Sequence, residues 1–262
     1  MNNEIMAGKY LKGIGIEIGA HQNPIKGIKP IYVDRFKNFA GLKDAISPDF
    51  YGDACNLPFF SNSLDYVASS HVIEHVPNPV SAFVEWYRVL RPGGIIYMVV
   101  PDKRYTFDHP RDLTTCEHLM SDFENNTTDS DPTHIDDQID NVDWSMWVPH
   151  VPAEQVPSQK ELMKSSLHQI VNSGGDINIH FHVFDPSSVI ELILILKTYP
   201  KTKFNWRILE KVERFPSDER KDGFLVVIKV SKNPRDYLEY FKNKIIKPCP
   251  SYPVLPDAKH FD

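Results

Sequence analysis

Three stretches decide the fold, and they follow one another closely: Gly52-Asp53-Ala54-Cys55-Asn56-Leu57-Pro58-Phe59, then Leu64-Asp65-Tyr66-Val67-Ala68-Ser69-Ser70-His71-Val72-Ile73-Glu74-His75-Val76, then Leu90-Arg91-Pro92-Gly93-Gly94. They read as strand end, loop, buried strand, helix, tight turn and the start of another buried strand. Residues 66–69 suit a short strand, stopped before Pro77 and Pro79. Residues 80–90 place Val80, Phe83, Val84, Tyr87, Val89 and Leu90 at helical spacing. Pro92-Gly93-Gly94 is expected to end that helix, because proline cannot continue it and glycine accepts positive φ. The apolar run over 95–100 suits a parallel strand covered on both faces. Strands alternating with helices imply a parallel α/β sheet, whose ligand site lies beyond the carboxyl ends of the strands.

Working outward, residues 1–12 read as a mostly polar lead-in, and Ile14-Gly15-Ile16-Glu17-Ile18-Gly19 as a first strand running into a glycine turn. Ile31-Tyr32-Val33-Asp34 follows so soon that a turn or extended loop, not a crossover helix, is expected between them. A modest helix over 36–46 then leads to a third strand at Phe50-Tyr51-Gly52. After Val100 the character changes. Pro101 to Arg111 is dense in chargeable groups, and residues 112–159 hold no lysine or arginine while acids accumulate at Asp122, Glu124, Asp129, Asp131, Asp136, Asp137, Asp140 and Asp143. This segment reads as an insertion of helices and loops that covers the substrate, or as a stretch that is simply solvated or mobile. Helical spacing returns over 159–171, and Asp185-Pro186 starts another helix with Asp as cap and Pro at its first position. Residues 203–212 and 223–230 form a final strand pair.

A chain of 262 residues, 41% of them hydrophobic, suits one α/β domain with an insertion. The charge of −6 and pI near 6.0 give no support to a nucleic-acid partner. Cys55, Cys116 and Cys249 are far apart and odd in number, without disulfide or metal-ligand spacing, which points to a reducing cytosol. The start lacks a signal-peptide pattern, and the apolar run over 189–196 is too short to span a bilayer, so a soluble cytoplasmic protein is expected.

The series Asp-Ala-x-x-Leu-Pro-Phe, Ser-Ser-His-x-x-Glu-His-Val and Leu-Arg-Pro-Gly-Gly, in this order, resembles class I S-adenosylmethionine-dependent methyltransferases of the methyltransferase-11 type. Within these it is similar to members associated with surface-glycan biosynthesis, above all over residues 13–104. The resemblance implies a Rossmann-like fold: a mostly parallel seven-stranded sheet with an antiparallel last strand and an insertion after the fifth. It divides the chain into a cofactor-binding half (1–104), a substrate cover (105–183), a completion of the sheet (184–232) and a tail (233–262). It also implies S-adenosyl-L-methionine as cofactor, held by Glu17, Gly19, Ala20, Asp34, Arg35, Asp53, Ala54, Ser70 and His71, with Asp34 on the ribose and Asp53 near the adenine amino group. Only Gly19 remains of the usual glycine series. Gly-x-Gly-x-x-Gly is missing altogether, which excludes a dinucleotide dehydrogenase.

A hydroxyl acceptor must lose its proton as the new bond forms. Candidates for that role are His180, His182, Asp102 and His109, with the histidines favoured because an unperturbed imidazole is largely neutral near pH 7. His180 and His182 alternate in an extended segment and are expected to share one face. They could hold a metal, but no third ligand is evident, so base is preferred over metal and no metal is assigned. Lys103, Arg104 and Arg111 are candidates for binding a phosphate or carboxylate on the acceptor, and His75 for shaping the substrate pocket. His71-x-x-Glu74-His75 matches the inverted zinc-protease pattern, but it leaves a strand and meets two prolines instead of sitting on a helix. Some ubiquinone-biosynthesis methyltransferases carry Glu-x-x-Glu-His here and bind a cation; His71 replaces the first carboxylate. The leading expectation is O-methylation of a sugar or sugar-linked group in polysaccharide biosynthesis. Methylation of a quinone or natural product, and a non-catalytic cofactor-binding module, are the alternatives. The partner expected is a small-molecule or glycan acceptor; a homodimer is left open.

Overall fold

The computed structural model describes residues 2–36, 45–216 and 221–232. Most of the helix expected over 36–46, part of the loop over 216–222 and the tail over 233–262 lie outside the described residues. Seven strands form one sheet: β1 (Gly15–Ile18), β2 (Ile31–Asp34), β3 (Phe50–Tyr51), β4 (Leu64–Ser70), β5 (Leu90–Pro101), β6 (Trp206–Phe215) and β7 (Gly223–Val230). Their order is β3-β2-β1-β4-β5-β7-β6, with β7 alone antiparallel to its neighbours. The order runs outward in both directions from β1, so β1 and β4 flank a switch point, where a parallel α/β sheet opens a crevice for ligand.

Alternation along the central strands divides the core. Ile16, Val67, Ile96, Met98, Val226 and Ile228 face one side, where α2 (Pro79–Val89), α3 (Cys116–Asn125) and α7 (Pro186–Thr198) pack. Trp86 of α2 is wholly buried there and donates Nε1–H to the Ala54 carbonyl at 3.1 Å. Tyr66, Ala68, Tyr97, Val99, Leu225 and Val227 face the other side. Residues 1–12 are not a loose lead-in on that side. Helix α1 (Asn3–Tyr10) buries Met6 and Ala7 against it, followed by Leu11, and Tyr97 donates to Asn3 Oδ1 at 2.7 Å. The connection from β1 to β2 is a series of turns without a helix, as its length predicts. Ile25 from that connection packs with α1.

Pro92-Gly93-Gly94 does not end α2. The helix stops at Val89, Leu90 turns extended (φ −73°, ψ 140°), and all three residues lie inside β5. The pairing of β4 with β5 shifts register between Leu64 and Tyr66, opposite this tripeptide, so it forms a bulge, a place where a sheet tolerates proline. Lys232 Nζ donates to the carbonyls of Arg88 and Leu90, supplying donors that the helix end lacks.

The insertion between β5 and α7 contains α3, α4 (Ile135–Asn141), α5 (Trp144–Trp147) and α6 (Val156–Asn172). Despite its acid content it has a core of its own: Ile135, Ile139, Val142, Trp144, Leu167, Ile177, Ile179 and Phe181. Among the described residues no helix is long and apolar enough to cross a membrane. Because Met6 is 1% exposed against the sheet, Met6→Ala should destabilise the protein by about 2–5 kcal/mol. Urea denaturation measures this, and an unchanged midpoint would show that α1 contributes nothing to the fold.

Candidate active site

A pocket of about 280 Å³ opens at the carboxyl ends of β1, β2 and β4. Ile18, Gly19, Ala20 and His21 line it from the end of β1, Asp34 and Arg35 from β2, and Ser70, His71 and Val72 from β4. Asp53 and Ala54 form another wall, and the insertion closes over it with Asp129, Ile177 and Asn178. Gly19 has φ +65°, and a Cβ there would come within 2.8 Å of Val72 Cγ2, so only glycine lets the turn after β1 pass beneath β4's continuation. His71 also has positive φ, +54°, an uncommon conformation for a non-glycine residue at the mouth of a pocket.

Most of the residues expected around the cofactor meet here. Asp34 accepts a hydrogen bond from the Phe36 backbone at 3.1 Å, and burial nevertheless raises its pKa. Asp53 accepts from Cys55 N–H at 2.6 Å and faces Arg35 Nε at 3.3 Å. Arg35 also pairs with Asp129 and, at 2.8 Å, with Asp176. Burial raises the Asp129 pKa to about 6, with the nearby carboxylates adding to this and Arg35 opposing it. Glu17 stands apart. It lies under the β1 turn rather than in the pocket wall, accepts from Ile25 N–H at 2.9 Å, and keeps Oε2 buried without a partner. Burial raises its pKa to about 7.

The acceptor side differs from expectation. His180 and His182 do not share a face. His180 Nδ1 lies 2.6 Å from Asp108 Oδ2, and its ring meets His75, a pocket residue, edge-on at 4.6 Å between centroids. His182 is fully buried, with Nε2 3.2 Å from the Pro77 carbonyl and its ring among His118 and His134. Burial lowers the pKa of both His75 and His182 to about 3, so both are neutral at physiological pH. Asp108 was not singled out by any motif. Its pKa sits below the usual range: burial pushes it up, but hydrogen bonds from His180 and Arg111 outweigh that.

The remaining candidates have partners outside the pocket. Asp102 binds Arg104 through both oxygens, with Nη2–Oδ2 at 2.6 Å. His109 lies 2.9 Å from Asp143 Oδ2. Lys103 donates to the Arg111 carbonyl. Arg111 is wholly buried and joins Asp108, Asp137 and Gln138, so it braces the insertion. Glu74, His75 and His180 each offer a ligand atom within 4.8 Å of the others, a group able to hold a cation. Both Glu74 oxygens are buried without hydrogen-bond partners.

A family model for the methyltransferase domain matches residues 29–98, from just before β2 into β5. The demethylmenaquinone methyltransferase of Staphylococcus epidermidis is 50% identical over 46 residues, 18% of this chain and 19% of that protein. The one from Staphylococcus aureus is 46% identical over the same length. The chain thus matches about a fifth of the length of these relatives. Similar solved structures include S-adenosylmethionine-dependent methyltransferases of Thermotoga maritima (18% identity, 88% of each chain, TM-score 0.44) and Methanosarcina mazei (15%, 89% of this chain and 100% of that one, TM-score 0.41). The matched segment is a methyltransferase domain, and the cofactor of such a domain is S-adenosyl-L-methionine. The pocket fits that cofactor. The half-buried Asp34 carboxylate suits vicinal hydroxyl donors, and the bare Gly19 backbone admits close approach of a ligand.

Asp34→Ala should weaken binding of S-adenosylmethionine by about 1.5–3 kcal/mol, the loss of a hydrogen bond to a charged group. Calorimetry reads this, and unchanged affinity would remove Asp34 from the cofactor site. Glu17 yields a pH signature. Its folded-state pKa of about 7 lies above the ordinary 4.5, so the native chain holds an extra proton between these values and loses stability as pH rises through them. Glu17→Gln lacks this loss. Relative to wild type it should gain about 2–3 kcal/mol between pH 5 and pH 8, at about 1.4 kcal/mol per unit. Parallel pH dependence of the two proteins in denaturant titrations would refute it.

Proposed function

We propose that this chain is an S-adenosylmethionine-dependent methyltransferase acting on a hydroxyl of a polar small molecule, in the first place a sugar or sugar-linked group of polysaccharide biosynthesis. The observation that carries this reading is the Asp108–His180 pair, 2.6 Å apart, behind the His75 wall of a pocket whose insertion-side lining includes Asp129 and Asn178. Bound S-adenosylmethionine supplies a methyl group on a sulfonium, open to in-line displacement by an acceptor oxygen. Positioning supplies much of the rate of such a displacement. Asp34 would hold the ribose hydroxyls, and the insertion, held down through Arg35, would exclude water. Asp108 accepts a hydrogen bond from His180 Nδ1–H, which leaves the Nε2 lone pair as the base for the acceptor proton. Asp108 then stabilises the imidazolium, while Arg111, 2.7 Å away, holds the carboxylate in place. His75, edge-on to His180, stays neutral, so it adds no competing positive charge beside the base.

A second reading, methylation of a quinone, is favoured by the 46-residue likeness to demethylmenaquinone methyltransferases. Charged and amide groups on the insertion side of the pocket weigh for the polar acceptor. The two separate in a methyl-incorporation assay with nucleotide sugars and sugar acids in one set of reactions and reduced quinones in the other. Turnover with quinones alone would replace the first reading by the second. Cofactor binding without incorporation into any acceptor would favour a non-catalytic module.

His180→Gln should lower kcat about 10²–10⁴-fold, abolish the acid limb of the pH–rate profile and leave cofactor affinity within about twofold of wild type. Wild-type turnover in this variant would exclude His180 as the base.

A further inference from the structure

His118, Asp122, His134 and His182 form a constellation outside the pocket lining. His118 and Asp122 lie one turn apart on α3 and project from the same helix face. His134 is the residue before α4, and His182 belongs to the segment that returns from the insertion to α7. His118 Nε2 is 2.9 Å from His134 Nε2 and 3.2 Å from Asp122 Oδ2. Asp122 Oδ2 is 3.8 Å from the Nε2 atoms of both His134 and His182. One donor atom of each residue lies within 4.8 Å of the other three. A tetrahedral zinc ion with bonds of about 2.0–2.2 Å sets neighbouring donors about 3.3–3.5 Å apart, and the contacts given bracket that spacing.

The polar groups are not satisfied among themselves. Asp122 has a side chain only 9% exposed, and its Oδ2 has no hydrogen-bond partner. His182 is 0% exposed, and its Nδ1 has none either. A proton shared between His118 and His134 uses one N–H and leaves none for the carboxylate. His182 Nε2, the nitrogen on the Asp122 side, would present its lone pair to an ion with the proton on Nδ1, so its 3.2 Å approach to the Pro77 carbonyl would then be a contact and not a hydrogen bond. A dication answers the carboxylate and the imidazole lone pairs together. Outer contacts that steady metal ligands are present: Thr127 Oγ1 donates to Asp122 Oδ1 at 3.0 Å, and Thr133 Oγ1 lies 3.1 Å from His134 Nδ1. Three imidazoles and one carboxylate with donors at these spacings suit zinc among the common divalent ions.

We propose that His118, Asp122, His134 and His182 bind a structural zinc ion that locks α3, the start of α4 and the segment carrying His180 against the pocket wall. Four protein donors close the coordination sphere, so the ion has no open position for chemistry. Its reach to the pocket is through His182, whose N–H bonds the Glu74 carbonyl at 3.3 Å and whose ring touches Pro77.

Elemental analysis of the untagged full chain, purified without chelators, should find about one zinc per chain. Chelator treatment should lower the melting temperature by about 5 °C or more, with zinc restoring it. Cobalt added to the stripped protein should give the intense visible bands of a tetrahedral ion. His118→Ala, at a half-exposed position, and Asp122→Asn should each lose the metal, whereas His180→Gln should keep it. A metal-free protein whose melting temperature ignores chelator and which gives no cobalt bands would overturn the proposal, and it needs no variant to fold. Full zinc stoichiometry in both His118→Ala and Asp122→Asn would also overturn it, by placing the ion elsewhere.

Discussion

The functional half of this molecule depends on one guanidinium. Arg35 leaves the end of β2 and meets Asp53 from the sheet side and Asp129 and Asp176 from the insertion. The insertion has no lysine or arginine over residues 112–159, and the pocket wall it covers already carries Asp34 and Asp53. Acidic surface on acidic surface repels; a shared cation reverses the sign. The cost is desolvation of several charges, visible in the raised pKa of Asp129. The apolar core around Ile135, Ile139 and Phe181 makes the insertion a solid body, and Arg35 decides where that body rests. Arg111 repeats the arrangement inside the insertion, joining Asp108 and Asp137 across one buried side chain.

The two sides of the pocket therefore have different origins. Parallel strands that end together at a switch point present Gly19, Asp34 and His71 from three separate stretches of chain, and this geometry follows from sheet topology alone. The acceptor side has no such scaffold. Its groups come from short helices and an irregular segment over 177–185, fixed by paired charges and buried histidines. Side chains there are placed by their partners more than by backbone regularity.

That contrast explains what could be read from the chain. The strands, α2 and α7 were legible because apolar periodicity and the Asp185-Pro186 start are local signals. Helix α1 was not, since Met6, Ala7 and Leu11 are too few among polar neighbours to show a stripe. Pro92-Gly93-Gly94 misled because the same residues suit a helix end or a strand bulge, and only the pairing of β4 with β5 decides between them. The alternation of His180 and His182 was visible, but a shared face requires a true strand, and residues 179–184 form none. Asp108, 72 positions from His180, and His134, 16 from His118, become partners only through the tertiary fold. Lys103, Arg104 and Arg111 looked like an anion site because sequence shows charges without the carboxylates and carbonyls that hold them.

The same division limits what likeness to other proteins says about the acceptor. The family match ends at residue 98, before the insertion that supplies Asp129, Ile177 and Asn178 to the pocket. A domain of this kind recurs with many acceptors because binding one cofactor constrains only the strand ends, and the covering segment varies independently. Chemistry on the acceptor side has to be argued from the groups present there. Those groups are a neutral His75, a histidine oriented by a buried carboxylate, and an asparagine and an aspartate at the pocket wall. Asp129 already holds Arg35, but an apolar ring system would still shut the remaining polar atoms of this wall away from water without offering them a hydrogen bond. The hydroxyl-rich acceptor we propose would bring donors and acceptors to that wall, and His180 would be the base for its proton.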